Sequence, residues 1–210
     1  MANGELWHGY PDSAAARAGL RIAELASAQE ERFSKELVRR CDYAFTLQSR
    51  FRVAALETPK AIDRAKSDIR SDLGRFSTRL DEKISFGRNK RDDDSRIIFV
   101  PVIEGELDDH DPEMSLHVHG FLGNVGFFAH EPKRLKRLIR RLWEKTDSGT
   151  ADVHIRKLFD PAGWGGPYMH KERLRGLNEK IEWQVVVCPN KISAEVSQRV
   201  ERWPIGINAQ

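Results

Sequence analysis

Apolar and polar residues alternate along several short stretches of the chain, and longer stretches with helical spacing separate them. Over Tyr43–Gln48 every second residue is large and apolar, which predicts a half-buried strand. Thr58–Ile84 repeats its apolar residues every three or four positions and predicts a helix. Ile97–Glu104 is β-branched and aromatic enough for the middle of a sheet, with Pro101 at a bulge or where a missing donor does no harm.

The second half of the chain continues this pattern. Its predicted elements are a strand over Ser115–Leu122, a helix over Pro132–Lys145, a strand over Ala151–Phe159, a short helical region from Tyr168 to Leu177 and a fifth strand over Glu182–Cys188. The order βαββαβ, with an added helix and strand, predicts an α+β fold of the RRM or ferredoxin-like kind. We expect a central antiparallel sheet with helices on one face.

The domain organisation follows from the same patterns. A stretch rich in Ala, Leu, Glu and Arg predicts a helical extension at the amino terminus, over residues 1–40. Residues 41–190 hold the predicted sheet and its helices, and residues 191–210 form a tail. A length of 210 residues is consistent with this single main domain.

Charge is informative mainly through its distribution. The formal net charge of +3 is too small to indicate a nucleic-acid partner, although 32% of the residues are charged. A local block of six cations stands out in the helix predicted after the third strand: Lys133, Arg134, Lys136, Arg137, Arg140 and Arg141. Such a block is suited to the DNA backbone, and we assign DNA binding to Lys133, Lys136, Arg137 and Arg140. The alternative is an ordinary solvated helix face.

The two cysteines, Cys41 and Cys188, lie far apart and lack the spacing of a zinc site or a disulfide framework. Reduced thiols and a cytoplasmic location are therefore expected. No stretch approaches the roughly 18 apolar residues that span a bilayer, so we expect no membrane association.

A His-x-His pair lies in the third predicted strand. The strand period of two puts His117 and His119 on one face, where two neutral imidazoles can share a metal ion. A pair of surface or hydrogen-bonding histidines is the alternative. If the second and third strands form a hairpin, Glu104 lies near the level of His117 and is the favoured third ligand; Glu106 has the same parity. More distant alternatives are Asp108, Asp109 and Asp111.

Tyr168 is one of three tyrosines, with Tyr10 and Tyr43. On a helix it shares a face with Lys171, and a nearby ammonium and a metal ion would both help a phenol to attack a phosphate. Trp164, shortly before it, offers an aromatic surface for a base. A structural tyrosine with a satisfied hydroxyl is the alternative.

Three segments occur in an order that resembles a known family. They are Phe45-Thr46-Leu47, His117-Val-His-Gly-Phe-Leu122 and Tyr168-Met-His-Lys171, and the surroundings of Asp160-Pro-Ala-Gly-Trp164 and Lys171-Glu172 are similar as well. The chain resembles the HUH endonuclease superfamily, in particular the small replication initiators of single-stranded DNA phages, plasmids and circular Rep-encoding viruses. The resemblance extends from Phe45 to Glu172, about the middle two thirds of the chain.

The resemblance implies a reaction. A metal ion, Mg or Mn, would be held by His117, His119 and Glu104, and Tyr168, assisted by Lys171, would attack single-stranded DNA. This transesterification joins the tyrosine to a 5′ phosphate and frees a 3′ hydroxyl. The implied role is initiation of rolling-circle replication, with single-stranded DNA at an origin or hairpin as partner and a host helicase as a further candidate.

Three other functions stay open at this point. A transposase or a mobilisation relaxase shares the paired histidines and the tyrosine. A catalytically silent DNA-binding module would keep the fold without the reaction. The motifs can also occur by chance in a structural α+β protein.

Overall fold

A computed structural model describes residues 32–85, 95–105, 115–159, 182, 185–189 and 194. Three helices and four strands are present in this part of the chain. They are α1 (residues 32–38), β1 (Cys41–Arg52), α2 (Pro59–Ile84), β2 (Ile98–Glu104), β3 (Ser115–Gly123), α3 (Pro132–Trp143) and β4 (Gly149–Lys157). Short 3-10 turns follow β1 and β3.

The four strands form one sheet in the order β2-β3-β1-β4, and each neighbouring pair is antiparallel. This is the strand order of a ferredoxin-like fold, because each helix connection crosses over one intervening strand. The predicted α+β class and its antiparallel sheet are confirmed.

Helices α2 and α3 cover one face of the sheet. Tyr43, Phe45 and Leu47 of β1 point to this face, so the alternating sequence forms a half-buried strand as predicted. The largest fully buried partners come from both helices and β2: Phe76, Leu73, Ile69, Trp143 and Phe99. Burying such side chains stabilises a fold by about 1.5–3 kcal/mol each. The Trp143 indole also donates a hydrogen bond to the Gln48 carbonyl at 2.8 Å, which ties α3 to β1.

Two carboxylates of α2 join the helix to the segments that precede β4 and β2. Near its middle, Asp72 accepts a hydrogen bond from the Ser148 amide at 2.8 Å and pairs with Arg75. Near its end, Asp81 accepts from the Ile97 amide at 2.8 Å. Desolvation raises the pKa of Asp72, but the hydrogen bonds from Ser148 and Arg75 outweigh it, so the net pKa lies below the ordinary value. The helix is thereby joined to the starts of β4 and β2.

Several predicted boundaries differ from the structure. β1 begins at Cys41 and continues to Arg52, beyond the predicted strand Tyr43–Gln48. β2 lies at one edge of the four strands rather than in the middle, and the predicted fifth strand is, in the residues described, a single antiparallel bridge between Phe99 and Val187 on that edge. Pro101 interrupts no hydrogen bond between β2 and β3. Its carbonyl points away from β3 and accepts from the Glu182 amide, and the nitrogen of a strand residue points to the same side as its carbonyl.

The second face of the sheet also carries apolar residues at one end. Leu37 and Val38 of α1 pack there with a buried group from the sheet and its flank: Ile98, Val100, Val102, Phe121 and Leu158. Within residues 1–40, the described part is thus helical, and it covers the end of this face where β1 begins. The other end of the same face holds the polar residues considered next.

Neither cysteine forms a disulfide. Cys41 is buried, which raises the pKa of its thiol well above the ordinary value, with the Asp42 charge as a second cause. Among the helices of the described residues, none combines the length and apolar character needed to cross a membrane.

Candidate metal centre

Two neighbouring strands bring three metal-binding side chains together. In the β2–β3 ladder Glu104 lies directly opposite His117, and His119 follows two residues later on the same face. The Nε2 atoms of the two histidines are 3.0 Å apart. The nearer Glu104 carboxylate oxygen, Oε2, lies 3.5 Å from Nε2 of His119 and 3.9 Å from Nε2 of His117. These three residues form a group that can hold a metal ion.

Hydrogen bonds on the far sides of the two rings orient them. His117 Nδ1 lies 2.9 Å from the Ser115 carbonyl, which only accepts, so this nitrogen carries the proton. In the neutral ring, Nε2 of His117 then keeps its lone pair for a metal. His119 Nδ1 lies 2.8 Å from the Thr46 hydroxyl, which can accept in the same way. Both rings therefore turn Nε2 toward Glu104.

The spacing and burial of the ligands fit a divalent ion. Two ligands at a right angle about an ion at about 2.1 Å lie about 3.0 Å apart, close to the separation of the two Nε2 atoms. The Glu104 side chain is 5% exposed, whereas those of His117 and His119 are 15% and 16% exposed. A buried carboxylate beside two imidazole lone pairs is costly without a cation or a proton between them. The group is also reachable from solvent at its histidines.

Gly105 permits the close approach of β2 to the first histidine. Its φ is +107°, a backbone conformation that residues other than glycine rarely adopt. A Cβ at this position would lie 2.8 Å from the Ser115 carbonyl oxygen and 3.2 Å from His117 Nδ1. The glycine therefore lets the chain leave the sheet immediately after Glu104 without displacing the ring.

The three predicted ligands are thus brought together, and other predicted residues lie elsewhere. Leu116 and Val118 alternate with the histidines and belong to the core that α2 and α3 cover, so that the sheet separates α3 from the candidate metal-binding group. The predicted DNA-binding residues on this helix, Lys133, Lys136, Arg137 and Arg140, are exposed on its outer side.

Several predicted site residues lie outside the described residues. These are the proposed nucleophile Tyr168, its neighbour Lys171, the stacking residue Trp164 and the alternative ligands Glu106, Asp108, Asp109 and Asp111. Their relation to the histidines stays a prediction.

Sequence reasoning did not assign a role to Thr46. Its position among the polar residues of β1 indicated the correct face, since Ala44, Thr46 and Gln48 alternate with the core residues. The pairing of Thr46 with His119 depends on the β1–β3 register, which the strand pattern alone does not reveal.

Comparison of the chain with protein-family models, with curated proteins and with solved structures found no match.

The hydrogen bond between His119 and Thr46 gives a first prediction. Thr46→Val keeps the shape of the side chain but removes the acceptor that orients His119. We expect Mn²⁺ affinity to fall about 10–100-fold, as it does when outer-shell partners of metal ligands are removed. Isothermal titration calorimetry with Mn²⁺ measures the change.

Thr46→Ser is the matched control, because it retains the hydroxyl and should bind Mn²⁺ nearly as the unaltered protein does. Thermal unfolding of the metal-free proteins separates loss of the ligand geometry from loss of the fold. Equal Mn²⁺ affinity in the Val and Ser variants would show that the hydrogen bond does not orient His119.

Proposed function

We propose that this protein is a metal-dependent endonuclease and strand transferase of the HUH type, which nicks and rejoins single-stranded DNA to initiate rolling-circle replication. The convergence of Glu104, His117 and His119 on the sheet face opposite α2 and α3 carries the proposal. Two imidazoles and one carboxylate leave coordination positions for a substrate phosphate. The order of motifs, with Thr46 before the histidines and Tyr168 after them, supports it further.

The donor set favours Mn²⁺ over Mg²⁺ as the working ion. Mg²⁺ prefers oxygen ligands, whereas His117 and His119 supply two nitrogens of the three protein donors. When bound, such an ion polarises the phosphate and offsets the negative charge that develops during phosphoryl transfer. Ser115 and Thr46 keep the two imidazoles turned toward it.

The nucleophile is assigned to Tyr168. Among the described residues Tyr43 is the only tyrosine, and it belongs to the helix-covered core, on the opposite side of the sheet from the histidines. Its hydroxyl donates to the Ala129 carbonyl at 2.8 Å, and burial, followed by the Asp42 charge, raises its pKa. Tyr43 is therefore unsuited to attack a phosphate held at the metal centre.

In the proposed reaction the phenolic oxygen of Tyr168 forms a bond to the phosphorus as the bond from phosphorus to the 3′ oxygen breaks. The bonding electron pair stays with the 3′ oxygen, which takes up a proton from water and leaves as a hydroxyl, while the phenolic proton of Tyr168 is released to water, so that protons balance over the step. The Lys171 ammonium helps to stabilise the phenolate form of the nucleophile. Attack by a 3′ hydroxyl on the phosphotyrosine reverses these steps and rejoins the strand.

End-labelled single-stranded DNA tests this function. A random-sequence library, labelled at either the 5′ or the 3′ end, is incubated with the protein and Mn²⁺ and analysed on a denaturing protein gel. We expect the 3′-labelled DNA to migrate with the protein, since a 5′-phosphotyrosine retains the downstream fragment. The 5′-labelled fragment should be released with a 3′ hydroxyl that a DNA polymerase extends.

Chelation of the metal by EDTA is the control and should abolish both products. DNA binding without cleavage at any Mn²⁺ concentration would instead identify a silent DNA-binding module. Attachment of the 5′-labelled fragment would contradict the proposed polarity. A transposase or relaxase would give the same products. The replication initiator is distinguished by its substrate, because it should join the fragments of a cloned origin rather than those of transposon ends.

A further inference from the structure

The outer side of α3 carries positive charge without compensating negative charge. Over Pro132–Trp143 the helix contains six cations and no carboxylate, and all six cations are exposed: Lys133, Arg134, Lys136, Arg137, Arg140 and Arg141. In α2, by contrast, the cations are interleaved with five carboxylates. Like charges three or four residues apart on a helix destabilise it. The charge of α3 is therefore a cost to the isolated fold.

Several arginines outside α3 form ion pairs. Arg70 pairs with Glu182, Arg75 with Asp72 and Arg96 with Asp81. Across the part of the chain that the structure describes, none of the six α3 cations forms an ion pair. Arg134 alone has an aromatic partner, since its guanidinium lies 5.6 Å from the centre of the Phe127 ring.

We propose that the outer side of α3 is a second nucleic-acid surface, separate from the metal centre, which binds the phosphate backbone of duplex DNA. It is proposed independently of the metal-dependent reaction. Leu135, Ile139 and Trp143 anchor the helix on the face of the sheet that the histidines do not share. A phosphate held at the metal centre is thus out of reach of these cations, and they must contact another segment of DNA.

The charge density favours a duplex over a single strand. Lys133, Lys136, Arg137 and Arg140 follow one stripe of the helix, over about 10 Å at 1.5 Å per residue. A duplex presents one phosphate charge per about 1.7 Å of its axis, twice the density of one of its strands. Single-strand surfaces also use aromatic platforms for bases, whereas the four residues of this stripe are all cations.

An anionic membrane fits this surface less well. Helices that bind lipid surfaces insert an apolar side among the acyl chains. The apolar side of α3 is used inside the protein, where its residues Leu135, Ile139, Leu142 and Trp143 are buried. The helix therefore offers charge alone to a partner.

Duplex binding in EDTA tests the inference. The fourfold variant Lys133→Gln, Lys136→Gln, Arg137→Gln, Arg140→Gln keeps helix-forming residues at exposed positions. The probe is a blunt DNA duplex of arbitrary sequence, followed by fluorescence anisotropy over a series of salt concentrations. We expect affinity to fall at least about a hundredfold at low salt, and the logarithmic salt slope to decrease by about 3 to 4.

A matched variant removes the same number of charges from α2: Lys60→Gln, Arg64→Gln, Arg79→Gln, Lys83→Gln. These four side chains are also exposed, so net charge changes equally and a much smaller loss is expected. An equal loss of duplex affinity in both variants would show that only net charge matters, and would overturn the inference. Failure of the unaltered protein to bind the duplex would do so as well.

Two further arms separate the partners. Vesicles of phosphatidylcholine and phosphatidylserine should bind neither the unaltered protein nor the α3 variant. If the unaltered protein binds vesicles, and the α3 variant loses this binding but keeps its binding to the duplex, the surface is a membrane surface instead. Cleavage of a short, unstructured single strand with Mn²⁺ is measured separately on the unaltered protein. Failure of cleavage in the unaltered protein bears on the proposed reaction and leaves the duplex result unaffected.

Discussion

The double variant His117→Ala, His119→Ala is expected to lose high-affinity binding of Mn²⁺. The two imidazoles supply two of the three protein ligands, and their Nε2 atoms lie 3.0 Å apart and face Glu104. Removing one orienting partner of a ligand already costs 10–100-fold in affinity, so loss of two ligands should cost about a thousandfold or more. Electron paramagnetic resonance of free Mn²⁺ and titration calorimetry both measure the loss.

His154→Ala is the matched control. His154 lies opposite Thr46 in the β1–β4 ladder, which places it on the same face of the sheet, but its side chain is 68% exposed and pairs with Asp152. Its replacement should leave Mn²⁺ affinity within about twofold, the effect of a surface change that touches no ligand. If the double variant binds Mn²⁺ as the unaltered protein does, the ion is held by other residues and the metal centre is misassigned.

Tyr168→Phe is expected to abolish the covalent protein–DNA product while Mn²⁺ binding and DNA binding persist. The substitution removes one oxygen and leaves the ring, so the change isolates the nucleophile from the packing of the side chain. Lys171→Ala should slow formation of the product about tenfold rather than abolish it, since its ammonium assists the same step as the metal ion. The effect of both substitutions is measured as the rate at which 3′-labelled DNA becomes covalently attached to the protein.

The other two tyrosines provide controls. Tyr10→Phe should leave the covalent product unchanged. Tyr43→Phe should also preserve it, but at a cost of about 1 kcal/mol in the free energy of unfolding, because the buried hydroxyl loses its bond to Ala129. If the covalent product persists in Tyr168→Phe and disappears in Tyr10→Phe, the nucleophile is Tyr10 rather than Tyr168.

If both sets of results hold, the two sides of the sheet have different tasks. The face with Glu104, His117 and His119 would act on a single strand, and the helix on the opposite face would hold a duplex. An origin in which a duplex adjoins an unpaired segment presents both forms of DNA together. The separation of the two surfaces predicts that defects in duplex binding and in metal binding arise independently.

Local sequence determined the elements and the faces of the strands. Alternation along β1 and β3 assigned Phe45 and Val118 to the core and His117 and His119 to the other face, because side-chain direction repeats every two residues. The choice of Glu104 also came from the sequence, as its strand was expected to form a hairpin with the histidine strand. The strand faces and the position of Glu104 opposite His117 agree with the structure, because they depend on short-range geometry.

Tertiary structure alone decided which strands are neighbours and what lies on each side of the sheet. The register that pairs Thr46 with His119, the position of β2 at an edge and the packing of α1 on the face that carries the histidines all depend on long-range contacts. A local pattern specifies which side of a strand is apolar, but many arrangements of the strands bury that side equally. Only the packed sheet decided that α3 and the candidate metal centre lie on opposite faces, since the helix follows the side on which its own apolar residues are buried.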